Sequence, residues 1–495
     1  MEKSIIIIGA GMGGLAAGIY AQLNGYRSRI FEMHSLPGGQ CASWKRQGYT
    51  FDVCIHHLMG CAPGTRINGL WRELGAMPRN LVYTRECVSV ASPEGRLFND
   101  YYDLELLEQH LASLAPQDSG AVKEYIGGIK AFARGDAWGA LMVGTTWDKL
   151  RMAPALLANF QRFKPSMQQF ADRFQDPLLR RAFPLLEYSY PDMPLFLHLA
   201  KHAYGYQRDI AWPVGGAAAF VRSIEQRYRE LGGEAHYQQK VAKILTEHGR
   251  AVGVRLEDGS EHRADIVISN ADGRKTIMNM LDGRYADKRI RQYCADPPDE
   301  TNWAVHVFLG VSRDLSNEPS ALVLLLDQPV KIADHVYKSL EMQIYGFDGT
   351  MASAGKGVIK VELVSTYSYW KKLYSDRSAY EEEKARTAEA VIGLLEKHFP
   401  GIRSQIEVVD VPTLMTWERY MGGTHGFVTL PNKKFNMLGS LLGQGLETRL
   451  PGLDNFYLAG YWATSVGALF ANAMSGKTVV RAICKRDGKA FTAVP

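Results

Sequence analysis

Three glycines and one carboxylate near the start of the chain carry the clearest chemical spacing. Gly9, Gly11 and Gly14 form G-x-G-x-x-G, and Glu32 follows eighteen residues after the last of them. Such a turn brings backbone N–H groups close to a pyrophosphate, and a carboxylate about 20 residues further on reaches a ribose hydroxyl. That carboxylate repels a 2′-phosphate, so NADP is disfavoured here. The spacing predicts dinucleotide binding; the plain alternative is a glycine-rich turn in an ordinary α/β domain. His56 and His57 are the next candidates, because imidazole titrates near neutral pH and suits general acid or base work. Each is otherwise a core histidine hydrogen-bonded to backbone. In an extended segment adjacent side chains face opposite ways, so only one of the pair is expected to see a pocket. The six cysteines, at 41, 54, 61, 87, 294 and 484, form no C-x-x-C, and no G-x-S-x-G elbow is present. Neither a metal site, a disulfide framework nor a serine hydrolase is suggested, and the thiols fit a reducing cytosol.

The elements that must position these groups are legible around them. Residues 5–8 are four isoleucines, suited to a buried parallel strand. Residues 15–24 form an alanine-rich helical run, with Gly25 placed to end it, and 27–31 return as a second strand with Glu32 at its tip. That is one βαβ unit. The predicted strand starts at residue 4, so no cleavable leader is expected before it. The whole chain has 495 residues, 46% of them apolar and 22% charged, which is enough for two or three domains. A net charge of +5 without a dense basic run gives no reason to expect a nucleic-acid partner. No apolar run approaches the roughly 18 residues that span a bilayer.

Beyond Glu32 the chain reads Pro37-Gly38-Gly39 and then Gly48-Tyr49-x-Phe51-Asp52. This resembles the flavoprotein superfamily that includes amine oxidases and phytoene desaturases. Two later blocks extend the resemblance: Trp212-Pro-Val-Gly-Gly216 with A-D-I-V-I-S-N-A-D at 264–272, and the segment 455–482. The three blocks lie near 1–75, 208–285 and 415–490. The resemblance implies FAD, held by Gly9, Gly11, Gly13, Gly14, Glu32, Met33, Gly38, Gly39, Gln40, Val241, Gly460, Tyr461, Val466, Gly467 and Ala468. Trp417-Glu418-Arg419-Tyr420 with Gly422-Gly423 is similar to phytoene desaturases, and Phe51-Asp52-x-x-Ile55-His56 to the F-D-x-G-I-H of retinol saturases. The implied chemistry is desaturation, saturation or isomerisation of C=C bonds in a long apolar polyene or isoprenoid. His56 is favoured to handle the proton, with His57, Tyr420 and His425 as further candidates. Three positions depart from the family pattern: Gln40 replaces an arginine, Cys54 a glycine and Tyr461 an acidic residue, for which Thr464 or backbone would substitute. No second nucleotide fold is visible, so quinone, oxygen and NAD(P)H all stay open as electron partner.

The implied fold is α/β: a Rossmann-like FAD-binding domain of the GR2 type (1–75, 208–290 and 415–495). Inserted in it are an antiparallel-sheet substrate domain (76–134 and 291–414) and a helical, membrane-facing subdomain (135–207). Residues 147–174 mix Leu, Met and Phe with Lys149, Arg151, Arg162, Lys164 and Arg173. That surface either lies on a membrane or is a solvated face over a core. The expected location is cytoplasmic, with peripheral attachment to the inner face of the membrane. Alternating strands in 291–414 predict an apolar wall for the substrate, and 380–398 a charged surface helix. Two other readings remain: an amine-oxidase-type dehydrogenase of a small polar substrate, and a non-catalytic prenyl-binding protein of the GDP-dissociation-inhibitor kind.

Overall fold

The computed structural model describes residues 2–136, 139–140, 143–187, 192–295, 302–423, 447–464 and 468–494. Ser4–Ile8 is the central strand of a five-stranded parallel sheet. Arg27–Phe31 and then Glu234–His236 lie on one side of it, and Ile266–Ser269 and then Phe456–Leu458 on the other. Alternation along the strand explains the four isoleucines. Ile5 and Ile7 pack into a core shared with the helices Met12–Leu23, Gly216–Glu230 and Leu469–Arg486. Ile6 and Ile8 pack against an antiparallel meander of Val241–Glu247, Arg250–Leu256 and Glu261–Arg263. A strand covered on both faces has no polar side to present.

Two local expectations change. The first helix begins at Met12, inside the glycine motif, because Gly11 already stands at its N-cap. The stretch 235–245 is not one strand: Glu234–His236 joins the parallel sheet, the chain turns at Gln238 with φ +56°, and Val241 opens the meander.

A seven-stranded sheet forms the second layer, in the order Ile406–Asp410, Asn302–Val311, Gly357–Ser365, His335–Ile344, Ala321–Ile332, Glu86–Ala91, Leu97–Tyr101. It is not purely antiparallel, since Ala321–Ile332 and Glu86–Ala91 pair in parallel where the two chain segments meet. Its outer face is apolar and is covered by the Arg377–His398 helix, which buries Tyr380, Ala388, Val391, Ile392 and Leu395. The expected surface helix is therefore half core. Helices Leu104–Leu114, Ser119–Phe132 and Leu195–Tyr206 share one further core, so the boundary expected at 134/135 falls inside a packed unit. On the Thr146–Arg162 helix Trp147, Leu150 and Leu157 stay 73%, 63% and 60% exposed.

Candidate active site

A groove of about 1170 Å³ runs past the carboxyl ends of the parallel strands, where open α/β sheets place their ligands. Gly9, Gly11, Gly13, Glu32, Met33, Gly38, Gly39, Gln40, Val241 and Tyr461 all line it, as does Tyr420. Gly14 does not; a Cβ there would stand 2.0 Å from the Gly9 carbonyl oxygen, so its smallness lets helix meet strand. Gly460 also sits behind the wall, against Gly13 and Asn270. Ala468 is the N-cap of the Leu469–Arg486 helix and is not itself in the lining, although Leu469 and Asn472 are. Val466, Gly467 and His425 lie outside the described residues.

The geometry suits an anionic dinucleotide. The Met12–Leu23 helix has neither a side-chain cap nor an acidic residue in its first turn, so its leading N–H groups and partial positive charge face the groove uncompensated. The Glu32 carboxylate accepts the Ala10 N–H at 2.7 Å and the His34 N–H at 2.8 Å. Burial raises its pKa and those backbone amides oppose the rise. Asn270, at the end of the Ile266–Ser269 strand, escaped the sequence reading. Its side chain fills the space that a Cβ on Gly11 or Gly13 would need, at 2.7 and 2.5 Å, and so sets the depth of the cradle. The signal available in sequence was its place directly after a buried apolar strand.

The F-D segment has a structural explanation. Phe51 stacks on Phe308 at 5.0 Å, and Asp52 accepts the Ala217 N–H at 2.6 Å, capping the Gly216–Glu230 helix. A side chain on Gly216 would meet the Asp52 carboxylate at 2.4 Å, which accounts for the second glycine of W-P-V-G-G. Burial pushes the Asp52 carboxyl up to about 6, against the pull of the Ala217 amide and Lys360.

His56 and His57 do not line the large groove. Both face a second cavity of about 80 Å³ between the seven-stranded sheet, the Leu195–Tyr206 helix and Trp212. The segment after Asp52 bends at Cys54 and again at His56, so the alternation expected of an extended chain is lost and both rings turn the same way. Val53 and Cys54 line the groove, which makes 53–57 the wall between the two spaces.

The sheet face behind that wall is polar, contrary to the apolar lining expected of it. His306, Glu341, Gln343, Lys360 and Glu362 are all buried, and the register places Glu362 opposite both His306 and Glu341, and Lys360 opposite Gln343. Two glutamates directly across a strand pair repel. Lys360 offsets that: its ammonium pairs with the Glu362 carboxylate at 2.7 Å and donates to the Val53 carbonyl at 3.1 Å. His56 Nε2 lies 3.0 Å from the same carboxylate. Burial would raise the Glu362 carboxyl, but His56 and Lys360 hold it well below the usual range. Burial lowers His56, partly offset by Glu362, and drives His57 down to about 3. Both imidazoles are neutral at pH 7, and His56 Nε2 stands between the Glu362 carboxylate and, at 3.4 Å, the Lys360 ammonium. Among the described residues no cluster of His, Cys, Asp and Glu is arranged for a metal ion.

Residues 7–74 match the model of the NAD(P)-binding Rossmann-like domain. The chain is 25% identical to the chloroplastic prolycopene isomerase of Arabidopsis thaliana over 95% of its own length and 81% of the relative's. The chain is a carotenoid desaturase/isomerase-like flavoenzyme. A lycopene-forming phytoene desaturase of Paracoccus is 28% identical over 62% of this chain and 61% of its own. Among solved structures, a redesigned putrescine oxidase superposes with a TM-score of 0.61 at 14% identity, covering 98% of this chain and 99% of its own, which shows a shared fold. A flavin-type cofactor agrees with these likenesses. The glycine cradle against Asn270, the uncapped helix N-terminus and the Glu32 carboxylate fit its diphosphate and ribose.

Proposed function

We propose that the protein binds one FAD non-covalently and acts with it on a C=C unit of a polyene or isoprenoid. The observation that carries this is the continuous groove over a complete dinucleotide cradle, in a chain that aligns with a carotenoid isomerase along nearly its whole length. The N–H groups that open the Met12–Leu23 helix bind the diphosphate, and Glu32 accepts a ribose hydroxyl. Cys41, Trp44 and Cys54 wall the far end of the groove and keep water from the reacting carbons. Bound there, flavin supplies hydride exchange with one carbon of the C=C unit. His56, oriented by Glu362, holds or delivers the accompanying proton across the 53–57 wall.

No described helix is long and apolar enough to cross a membrane. The exposed Trp147, Leu150 and Leu157, flanked by Arg151, Arg162 and Lys164, support reversible attachment to an anionic bilayer from the cytoplasmic side. That placement gives access to a substrate dissolved in lipid. The test of function is anaerobic: flavin spectra of the purified protein against polyenes of defined structure, with product analysis by mass spectrometry. Spectral change and a product differing by two hydrogens or in double-bond geometry support the reading. Reduction by a polar amine alone refutes it. One observation favours that second reading, an amine-type substrate: the charged inner face of the sheet.

A further inference from the structure

Cys41 and Cys54 stand opposite each other on the wall of the groove. Ser43–Arg46 and Tyr49–Asp52 form a two-stranded antiparallel ribbon in which Ser43 faces Asp52. The pairing runs one step further, because the Val53 N–H donates to the Ala42 carbonyl at 3.1 Å. The next pair in that register is Cys41 with Cys54, at the point where both segments bend away. A pair beside a hydrogen-bonded one brings its α-carbons to about 4.5 Å, within the range that a disulfide bridges. Both residues line the groove, and all six cysteines are free thiols. Cys41 is buried and Cys54 partly exposed. Burial, and after it the neighbouring Cys54, push the Cys41 thiol well above its usual value, so the two sulfurs sense each other. Cys54 also stands where the family pattern has glycine. This chain thus places a second thiol, facing the first, where the pattern has no side chain at all.

We propose that Cys41 and Cys54 close a reversible disulfide, by exchange with a small-molecule disulfide, and that this bond clamps the Gly38-Gly39 turn to the 53–57 wall. The bond itself needs no part of the function proposed above. Cys54, the accessible thiol, attacks as the thiolate. The S–S bond of the small molecule breaks, a bond from Cys54 to one of its sulfurs forms, and the other half leaves. Cys41 then displaces the remaining half and joins Cys54. The protein pair is oxidised by two electrons, the small disulfide is reduced by two, and the two thiol protons leave on the two small thiols. Exchange is slow at neutral pH, because burial pushes the Cys54 thiol up to about 12; Asp52 and Glu362 act in the same direction and Lys360 opposes them. The bond therefore records sustained oxidation and ignores a brief one. Its effect on the groove follows from the Cys41 N–H, which donates to the Gly38 carbonyl at 3.0 Å. Fixing Cys41 fixes the turn that carries Gly38 and Gly39, both of them in the groove wall.

The experiment incubates the flavin-loaded protein with oxidised glutathione, quenches with acid, alkylates the free thiols and maps the cysteines by mass spectrometry. Two of the six thiols are expected to disappear, joined as Cys41–Cys54, and dithiothreitol should restore them. The rate should rise roughly tenfold per pH unit between about pH 7 and pH 9, as a scarce thiolate requires. Cys41→Ala should trap a stable glutathione adduct on Cys54, whereas Cys54→Ala should keep its remaining thiols free. The linked protein should exchange its flavin with added FAD about threefold or more slowly than the reduced protein. Cys41 and Cys54 still unlinked after prolonged incubation at about pH 9 overturn the proposal. A lasting adduct on Cys54 of the unmodified protein overturns it too, because Cys41 then cannot reach. So does a bond from either cysteine to Cys294, which also lines the groove. Equal flavin exchange by linked and reduced protein overturns the clamp. A protein that holds no flavin refutes the cofactor reading instead, and the same mapping on that protein still decides whether the bond forms.

Discussion

His56 and Lys360 converge on a single oxygen: His56 Nε2 lies 3.0 Å and Lys360 Nζ 2.7 Å from Glu362 Oε1. His56 and Lys360 keep the carboxylate ionised, and His56 Nε2 also lies 3.4 Å from the Lys360 ammonium. Orientation of an imidazole by a buried acid is the arrangement general acid–base chemistry needs. His56→Phe should therefore retain fold and flavin, because the Lys360–Glu362 pair stays whole, but lower turnover on an identified polyene by roughly 10²–10⁴-fold. Single-turnover flavin kinetics decide it. Unchanged rates assign the proton to another group.

Lys360 is fully buried, so its removal should cost more than that of any surface cation. Lys360→Met strands the Glu362 carboxylate and also loses the bond to the Val53 carbonyl. A loss of about 3–5 kcal/mol is expected. Adding Glu362→Leu should return part of it, since an apolar pair replaces an unmatched charge. Urea unfolding of the native protein and the two variants measures this, and a double variant no more stable than Lys360→Met contradicts it.

How much of this was legible beforehand depended on whether the information is local. The βαβ unit is encoded by contiguous residues, so Ile5 to Ile8, the glycine turn and Glu32 could be read directly. The cradle's floor could not, because Asn270 reaches Gly11 and Gly13 from a strand some 260 residues away in sequence. The alternation of 302–365 showed strands without telling which face turned inward, and a polar residue at every second position looks the same toward water or toward a cavity. Lys360 and Glu362 became interior groups only once Cys54 to His57 packed over them. The bends at Cys54 and His56 likewise defeated the one-in, one-out expectation for the histidine pair.

Glu32 holds the turn through Ala10 and His34, and in the proposed function it also presents an acceptor to ribose. Glu32→Gln keeps the size but turns one acceptor into a donor that faces a backbone N–H. Flavin occupancy of the purified protein should fall by about tenfold or more, with a lower melting temperature of the apoprotein. Full occupancy at native stability would remove Glu32 from the cofactor site. Acid precipitation of the native protein should release all flavin as FAD into the supernatant. Colour left in the pellet contradicts non-covalent binding.

The exposed line of Trp147, Leu150 and Leu157 makes a quantitative prediction for lipid. Burying three large apolar side chains is worth about 1.5–3 kcal/mol each at most, and attraction of the flanking arginines adds a salt-sensitive part. Trp147→Ser with Leu157→Gln should reduce flotation with anionic vesicles at least tenfold. Raising the salt should weaken the native protein's binding without abolishing it. Absence of native binding at low salt refutes membrane attachment and strengthens the case for a water-soluble amine substrate.

The helical layer carries a titration of its own. His198, wholly buried, lies 2.9 Å from Glu187 through Nδ1, and through Nε2 2.6 Å from the Tyr125 hydroxyl and 3.5 Å from Asp100. Lys201 shares Glu187, and His202 shares Asp100 at 3.3 Å. Burial pushes the His198 imidazole down, but hydrogen bonds to Asp100 and Glu187 outweigh it and raise it to about 9. Its folded pKa exceeds the unfolded value of about 6.5, so its contribution is complete below pH 6.5 and disappears as pH rises through 9. The expected loss across that window is about 1–3 kcal/mol. Asp52 and Asp209, raised by burial to about 6 and about 7, finish losing their contributions as pH rises to those values. The thiols of Cys54, Cys61 and Cys87, pushed up by burial to about 12, add a loss above the free-thiol value of about 8.5, so the difference between the native protein and a His198 variant reports the histidine. Urea unfolding at pH 7.5 and pH 9.5 should show the native protein weakening, while His198→Gln, less stable at both, shows a much flatter dependence. If the native protein is equally stable at the two pH values, His198 is neutral when folded, and the buried cluster is held by neutral hydrogen bonds instead.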